Sequence, residues 1–265
     1  MLRAAAYVDN MLASVEIAAG VGTNVSSPLL SVVIPVFNER STIKEVIYRV
    51  QAVPVEKEII VVDDGSTDGT RELLVEMARS ATPNAGGTHE ICHIRYFFQA
   101  ENRGKGAALR RGFGEARGKL LLVQDADLEL NPDEYPALIE PLVSGVADVV
   151  YGSRFLGKGA GTMPFRYHLA NKILTVSSNL LTSLSLTDVW TGYKAFRREV
   201  IESIELHENR FGFEPEFTAK VASKGYRVRE VPVDYENRSI QEGKKIRLRD
   251  GVKGMWSTVR YSLFD

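Results

Sequence analysis

The chain is predicted to form an open, mostly parallel α/β sheet flanked by helices. Three observations predict it. Short β-branched apolar runs recur along the chain, each continuous enough to be buried on both faces. Segments with apolar residues at helical spacing separate them. Several of the runs end in acidic residues, as expected where parallel strands deliver side chains to one ligand-binding rim.

The elements follow in order. SVVIPVF (31–37) is the first buried strand. The next helix carries Ile43, Val46, Ile47 and Val50 on one face, and Thr42 with Glu45 fits a capping box at its start. EIIVVDD (58–64) is the second strand, GSTDGT a turn, and Leu73, Leu74, Met77 and Ala78 mark a second helix. After the loop TPNAGGTH comes the strand ICHIRYF (91–97), then a glycine-opened helix over 104–117. LLLVQDAD (120–127) is a further strand ending in acid. Pro132 opens a helix with Leu138, Ile139, Leu142 and Val143, and ADVVYGS (147–153) is a strand. The second half is less regular. A helix over 165–184 has Leu169, Ile173, Leu174, Val176 and Leu180 as its apolar residues. TDVWTGYKAF (187–196) turns into a short strand, 213–225 is a helix ended by Gly225, and VREVPVDY (228–235) is a strand. The terminal helix (251–265) carries Val252, Met255, Trp256, Val259 and Leu263 on one stripe.

Composition narrows the functional classes. The 265 residues are 44% hydrophobic and 25% charged, with formal net charge −1. A disordered chain, a fibrous repeat and a multi-span membrane protein are excluded, and no global basic field exists for nucleic acid. The single cysteine, Cys92, sits inside an apolar strand and cannot form an internal disulfide, which fits a reducing cytoplasm. No apolar run approaches the roughly 20 residues that span a bilayer. The domain plan is a leader over 1–28, a catalytic domain over 29–250 and the terminal amphipathic helix over 251–265. The leader reads either as a loosely docked helix or as a membrane-surface element.

Four groups of residues carry the chemistry. In QDADLE, Asp125 and Asp127 follow a buried strand and turn toward one side. With Glu129 they are suited to hold Mg²⁺ or Mn²⁺ against a diphosphate, and a solvated acidic turn is the plainer reading. In VVDDGSTDGT, Asp63 and Asp64 need partners if both are buried. Asp64 suits a base or ribose, while Ser66, Thr67 and Asp68 are good helix caps. NRGKGAA places Lys105 at a helix start, where backbone amides favour an anion. Residues 236–249 carry a local charge of +3, with Arg238, Lys244, Lys245, Arg247 and Arg249 against Glu236 and Glu242. That run is either a solvated basic face or a phosphate clamp. No Ser-His-Asp set and no zinc spacing occurs.

Together, VVIPVFNE, VVDDGSTDGT, NRGKGAA, QDADLE, GSRF, TDVWTGYKAF, FGFEPE and VPVDYENRSIQEGKKI resemble the family 2 glycosyltransferases, in particular their polyprenyl-phosphate (dolichyl-phosphate mannose synthase-like) branch. The resemblance runs from about residue 31 to 250 and implies a GT-A type fold. It implies that Pro35, Glu39, Asp64, Lys105 and Asp125 hold a nucleotide-sugar donor, and that Asp127 ligates the metal with Asp125 and Glu129. Asp127 and Arg154 are then the catalytic candidates. Ser153, Arg154, Arg166, Arg238, Lys244 and Lys245 would face the phosphate of a polyprenyl phosphate acceptor, and Glu214 and Glu216 would lie near the sugar. The implied reaction is an inverting hexosyl transfer on the cytoplasmic membrane face, with peripheral attachment through the terminal helix; alternatively that helix packs on the sheet. Two related readings are a family 2 enzyme acting on a soluble or polysaccharide acceptor in cell-envelope glycan synthesis, and a silent scaffold with the same fold. A nucleotidyltransferase fits less well, because VVIPVFNE lacks a glycine-rich pyrophosphate loop. Donor base, sugar, prenyl length and oligomeric state are not encoded legibly.

Overall fold

The structure, a computed structural model, describes residues 17–18, 28–80, 92–157, 165–236 and 248–263. The chain divides into two compact units, Met1–Asp127 and Leu128–Asp265. Arg238, Lys244 and Lys245 lie outside the described residues, as do nearly all of the leader and the side chains of Cys92 and Arg166.

The first unit contains β1 (Ile17–Ala18), β2 (Leu30–Val36), α1 (Ile43–Ala52), β3 (Lys57–Asp63), α2 (Thr70–Ser80), β4 (Cys92–Phe98), α3 (Lys105–Glu115) and β5 (Leu120–Val123). Strands β4, β3, β2 and β5 lie side by side and parallel, and the short β1 pairs antiparallel with β4. The β-branched runs do what their composition requires. Val32, Val33, Ile34, Ile59, Ile60, Val61 and Val62 are fully buried, each such side chain contributing about 1.5–3 kcal/mol of transfer free energy.

Helix α3 packs on β2 and β3 through a glycine. A Cβ on Gly112 would overlap Val33 Cγ1. Gly112→Val is therefore expected to lower unfolding free energy by about 1–3 kcal/mol, the range for overpacked interiors, as read from urea denaturation.

The Thr42–Glu45 capping box does not form. Thr42 is the N-cap residue, but its hydroxyl donates to the Ala126 carbonyl at 2.9 Å and to Glu39 Oε2 at 3.0 Å. Glu45 instead pairs with Arg49 one turn on, at 2.8 Å. The hydroxyl ties the start of α1 to the acidic loop after β5, a contact across 84 residues that local spacing cannot reveal. Strand β5 also stops at Val123, leaving Asp125 and Asp127 on a loop.

The second unit contains a 3₁₀ turn at Pro132–Glu134, α4 (Tyr135–Val143), β6 (Val149–Ser153), α5 (Phe165–Thr182), β7 (Lys194–Arg197), α6 (Arg198–Ser203), α7 (Phe213–Ser223), β8 (Val228–Pro232) and α8 (Leu248–Leu263). Strand β6 pairs parallel with β8 and antiparallel with β7. Helix α4 covers these strands, and α5, α7 and α8 pack on one another. The Tyr151 hydroxyl of β6 bonds Thr218 in α7 at 2.9 Å. Among the described residues no helix is long and apolar enough to cross a membrane.

Among the described side chains of the terminal helix, Ser257, Thr258 and Tyr261 are buried, as is Gly254, while Val252, Met255 and Leu263 of the expected stripe lie outside the described side chains. Gly254 lies against Trp190, whose ring a Cβ would overlap. Of the stripe, Trp256 is exposed and Val259 half-buried. The helix packs on α5 and α7.

Candidate active site

In the first unit the carboxyl ends of β2, β3 and β5 share one rim, because these strands are parallel. The loops leaving that rim are laced together. The Asn38 amide donates to Ser66 Oγ at 2.9 Å, and Thr67 N donates back to Asn38 Oδ1 at 2.8 Å. Asn38 adopts φ +52, a conformation that asparagine tolerates better than most residues. The Glu39 amide donates to Thr70 Oγ1 at 3.0 Å, and the Asp68 carboxylate caps α2 at the Thr70 amide, also at 3.0 Å. Ser66 and Thr67, also candidates for capping, serve the loop instead.

Both acids of the DD pair are buried, and both have partners, as electrostatics demands. Asp63 pairs with Arg71 at 2.8 Å. Asp64 accepts the amides of Arg103 and Gly104 at 2.8 and 2.7 Å. It thus fixes the turn that opens α3, where Gly104 takes φ +102. Gly65 takes φ +71, and a Cβ there would stand 2.5 Å from the Glu101 backbone. The backbone rather than a side chain therefore fills this corner. Lys105, the first residue of α3, pairs with Asp125 at 2.8 Å. So Asp64, Lys105 and Asp125 occupy one connected corner of the rim, with half-buried Pro35 at the end of β2 and half-buried Glu39 on the loop that follows it.

In the second unit β6 delivers Ser153 and Arg154. The Arg154 guanidinium grips Asp188 as a fork, Nε to Oδ2 at 2.7 Å and Nη2 to Oδ1 at 2.8 Å, and its own backbone amide donates to Oδ2 at 3.1 Å. Asp188 is fully buried. Burial alone would favour its neutral form, but the Arg154 charge outweighs this and holds the carboxyl below the usual carboxylate range. Conversely, burial works against the Arg154 charge, and Asp188 more than restores it. Asn171 of α5 donates to Asp188 Oδ1 at 3.2 Å, and its own Oδ1 accepts from Thr175. Glu230 receives the Asp188 amide at 2.9 Å. Desolvation pushes the Glu230 carboxyl above its ordinary range.

On its other side Arg154 lies over the Tyr235 ring, 5.2 Å from the centroid, and the Tyr235 hydroxyl donates to Glu129 Oε2 at 3.0 Å. Glu129, Tyr235 and Arg154 thus form one chain of contacts within the second unit. Ser153 is buried, its hydroxyl shared with Thr187 Oγ1 at 2.6 Å. Glu216 is buried too, with its carboxylate on the amides of His207 and Glu208 at 2.7 and 2.8 Å and on Lys220 at 3.2 Å. Glu214 is buried beside it on α7. Sequence reasoning missed Asp188, Glu230 and Tyr235. The signal for the first was Arg154 itself, since a guanidinium sunk into a fold requires a carboxylate.

The expected three-carboxylate metal cage is not assembled. Among the described residues no three His, Cys, Asp or Glu side chains converge. Asp125 is taken by Lys105 and Glu129 by Tyr235. Three bare carboxylates at one point repel, and the fold supplies each of these two with a donor. What the residues do fit is a hard cation held by the half-buried Asp127 and completed by diphosphate oxygens of a substrate, the arrangement such cations commonly take.

Comparisons with known proteins identify the family and the fold. Residues 31–205 match the family described as glycosyl transferase family 2. The polyprenol monophosphomannose synthase of Mycolicibacterium smegmatis is 33% identical over 80% of this chain and 79% of its own. The dolichol-phosphate mannosyltransferase of Pyrococcus furiosus is also 33% identical, over 81% of this chain and 58% of its own length. The undecaprenyl-phosphate mannosyltransferase of Micrococcus luteus is 29% identical over 80% and 85%. Among solved structures, glucosyl-3-phosphoglycerate synthase from Mycobacterium tuberculosis, in complex with Mn²⁺, UDP and phosphoglyceric acid, superposes with TM-score 0.64. It is 21% identical and matches over 90% of this chain and 80% of that one. The fold is of the GT-A type, and with the family match covering most of the sheet and its acidic rim, the chain belongs to glycosyltransferase family 2 and is a glycosyltransferase.

Proposed function

We propose that this enzyme moves a hexose from a nucleotide-sugar to the phosphate of a polyprenyl phosphate, with inversion at the anomeric carbon. The observation that carries the reading is the Glu129–Tyr235–Arg154–Asp188 chain, which holds a permanently charged guanidinium in place at the end of β6. The named activities of the mannose synthase relatives support the same acceptor class.

Pro35, Glu39, Asp64, Lys105 and Asp125 form the donor side. The ammonium of Lys105, already beside Asp125, has the charge and position to meet a diphosphate oxygen. Asp127 holds Mg²⁺ or Mn²⁺, which when bound offsets charge on the departing diphosphate. Arg154, with Nε and Nη2 spent on Asp188, offers Nη1 to the acceptor phosphate, joined by Arg166, Arg238, Lys244 and Lys245. Ser153 shapes that site through Thr187. Glu214 is the sugar-side acid. Glu216, locked to two backbone amides, holds the 207–208 turn in place for it.

The acceptor phosphate is already an anion at neutral pH. Its oxygen can form the new bond to the anomeric carbon as the bond to the diphosphate breaks, with no strong general base. Positioning and charge stabilisation supply the rate. The work would be done peripherally on the cytoplasmic face of a membrane.

The test is transfer of radiolabel from GDP-mannose, UDP-glucose and related donors to undecaprenyl phosphate with Mg²⁺ or Mn²⁺. Lipid-extractable label with one donor is the expected result. Label found only on soluble sugar or polysaccharide acceptors would overturn the acceptor assignment.

A further inference from the structure

Consecutive residues of the acidic loop are each held by a different element of the first unit. The Gln124 amide donates to the Val33 carbonyl of β2 at 3.0 Å. The Asp125 carboxylate pairs with Lys105 of α3 at 2.8 Å. The Ala126 carbonyl accepts the hydroxyl of Thr42, at the start of α1, at 2.9 Å. Asp127 comes next. Thr42 and Ala126 are 8% and 3% exposed, so water competes poorly for their bond. The start of α1 is itself anchored. The Glu39 carbonyl accepts the Thr42 and Ile43 amides at 3.1 and 3.0 Å, and the Glu39 amide donates to Thr70 Oγ1 at 3.0 Å. The Thr42 hydroxyl makes no cap bond to its own helix. It shares its one proton between the Ala126 carbonyl and Glu39 Oε2, 3.0 Å away.

We propose that Thr42 is a positioning residue for the donor, holding the acidic loop so that Asp127 presents its carboxylate where the cation and the diphosphate meet. The proposal rests on the donor side of the reading above and deepens it by naming a residue that sets its geometry. In that reading Lys105 meets a diphosphate oxygen, so its hold on Asp125 weakens when the donor arrives. Glu39 turns to the nucleotide as well, which leaves the single Thr42 proton to the Ala126 carbonyl. Donor binding thus loosens one tether of the loop and tightens the next one along, beside Asp127.

Without the hydroxyl, the buried Ala126 carbonyl loses this donor, and the loop relieves it by moving. Asp127 moves with it. Hydrogen bonds that orient a metal-binding side chain from behind commonly account for about 10- to 100-fold in affinity. Thr42→Val isolates the effect. It keeps the shape of the side chain, and α1 loses no cap bond because the hydroxyl makes none.

The test is isothermal titration of UDP and of GDP into the full chain, with Mn²⁺ and with EDTA, in the absence of acceptor. For whichever nucleotide wild type binds, Thr42→Val should lose about tenfold or more in affinity with Mn²⁺ and nothing with EDTA. Thr42→Ser, which keeps the hydroxyl, should bind like wild type. Thr42→Ala, which cannot overpack the site, should show the same loss as Thr42→Val. In steady-state transfer Thr42→Val should raise KM for the donor and leave KM for the acceptor unchanged. The proposal is overturned if Thr42→Val and Thr42→Ala bind like wild type with Mn²⁺, if their loss is equal with EDTA, or if Thr42→Ser loses as much as they do. A wild type that bound neither nucleotide more tightly with Mn²⁺ than with EDTA would overturn the donor-side reading itself, and this proposal with it. Because no acceptor is present, an enzyme that transferred only to soluble sugars would overturn the acceptor assignment and leave the role of Thr42 standing.

Discussion

Asp127→Asn lowers transfer by about 10³-fold or more at saturating Mg²⁺ or Mn²⁺, without a measurable change in thermal unfolding. The substitution keeps shape and hydrogen-bonding capacity but removes the charge a hard cation needs. Asp127 sits half-buried on the loop after β5, and its neighbours cannot replace it, because Asp125 is paired with Lys105 and Glu129 with Tyr235. Chelating the metal from wild type should reproduce the loss, and chelation should then cost the variant nothing further. Steady-state transfer rates across a metal titration check this. Full activity in the variant would remove Asp127 from the metal site.

The second large effect is expected at Asp188. Asp188→Asn leaves the Arg154 guanidinium desolvated without its counter-charge, and removing one partner of a buried ion pair costs about 3–5 kcal/mol. Urea denaturation at neutral pH measures the loss. The pH dependence gives a separate signature. The folded carboxyl is held below its ordinary value of 3.8, so its contribution is fully present above that value and disappears as pH falls through the lower, folded one. Wild type should therefore lose stability below about pH 4 by a component that Asp188→Asn lacks. Asp188 positions Arg154 and does not touch substrate in this account. The variant should consequently raise KM for polyprenyl phosphate with little change in KM for the donor, a split that a purely structural role would not produce.

The strands of the first unit were legible because a parallel sheet buries both faces. SVVIPVF and EIIVVDD have no other way to satisfy their apolar side chains, and they fold as β2 and β3 within a residue of the expected ends. The helix faces were less legible for a physical reason. Spacing reports that Leu169, Ile173, Val176 and Leu180 share a stripe, but not which way the stripe points. In α5 the polar side was required inside, to meet Asp188 and the Val189 amide, and the apolar side was turned out. Asp188 was hidden because the chain has 34 acidic residues and nothing local marks the one that meets Arg154. The capping box at Thr42 failed for a similar reason, since its hydroxyl answers a carbonyl 84 residues away. Tyr235 became visible only through the bridge that sets it beside Leu130.

The central claim is that two anionic substrates are gripped by different groups, one through a cation on Asp127 and the other through the guanidinium of Arg154. Isothermal titration of the nucleotide-sugar and of a short-chain polyprenyl phosphate into wild type, Asp127→Asn and Arg154→Lys tests it directly. Lysine keeps the charge but cannot fork onto Asp188 and still offer a nitrogen to a phosphate. Asp127→Asn is predicted to lose metal-dependent affinity for the donor and keep the lipid phosphate, and Arg154→Lys to do the reverse. Loss of both ligands together in either variant, or of neither in both, would contradict the account.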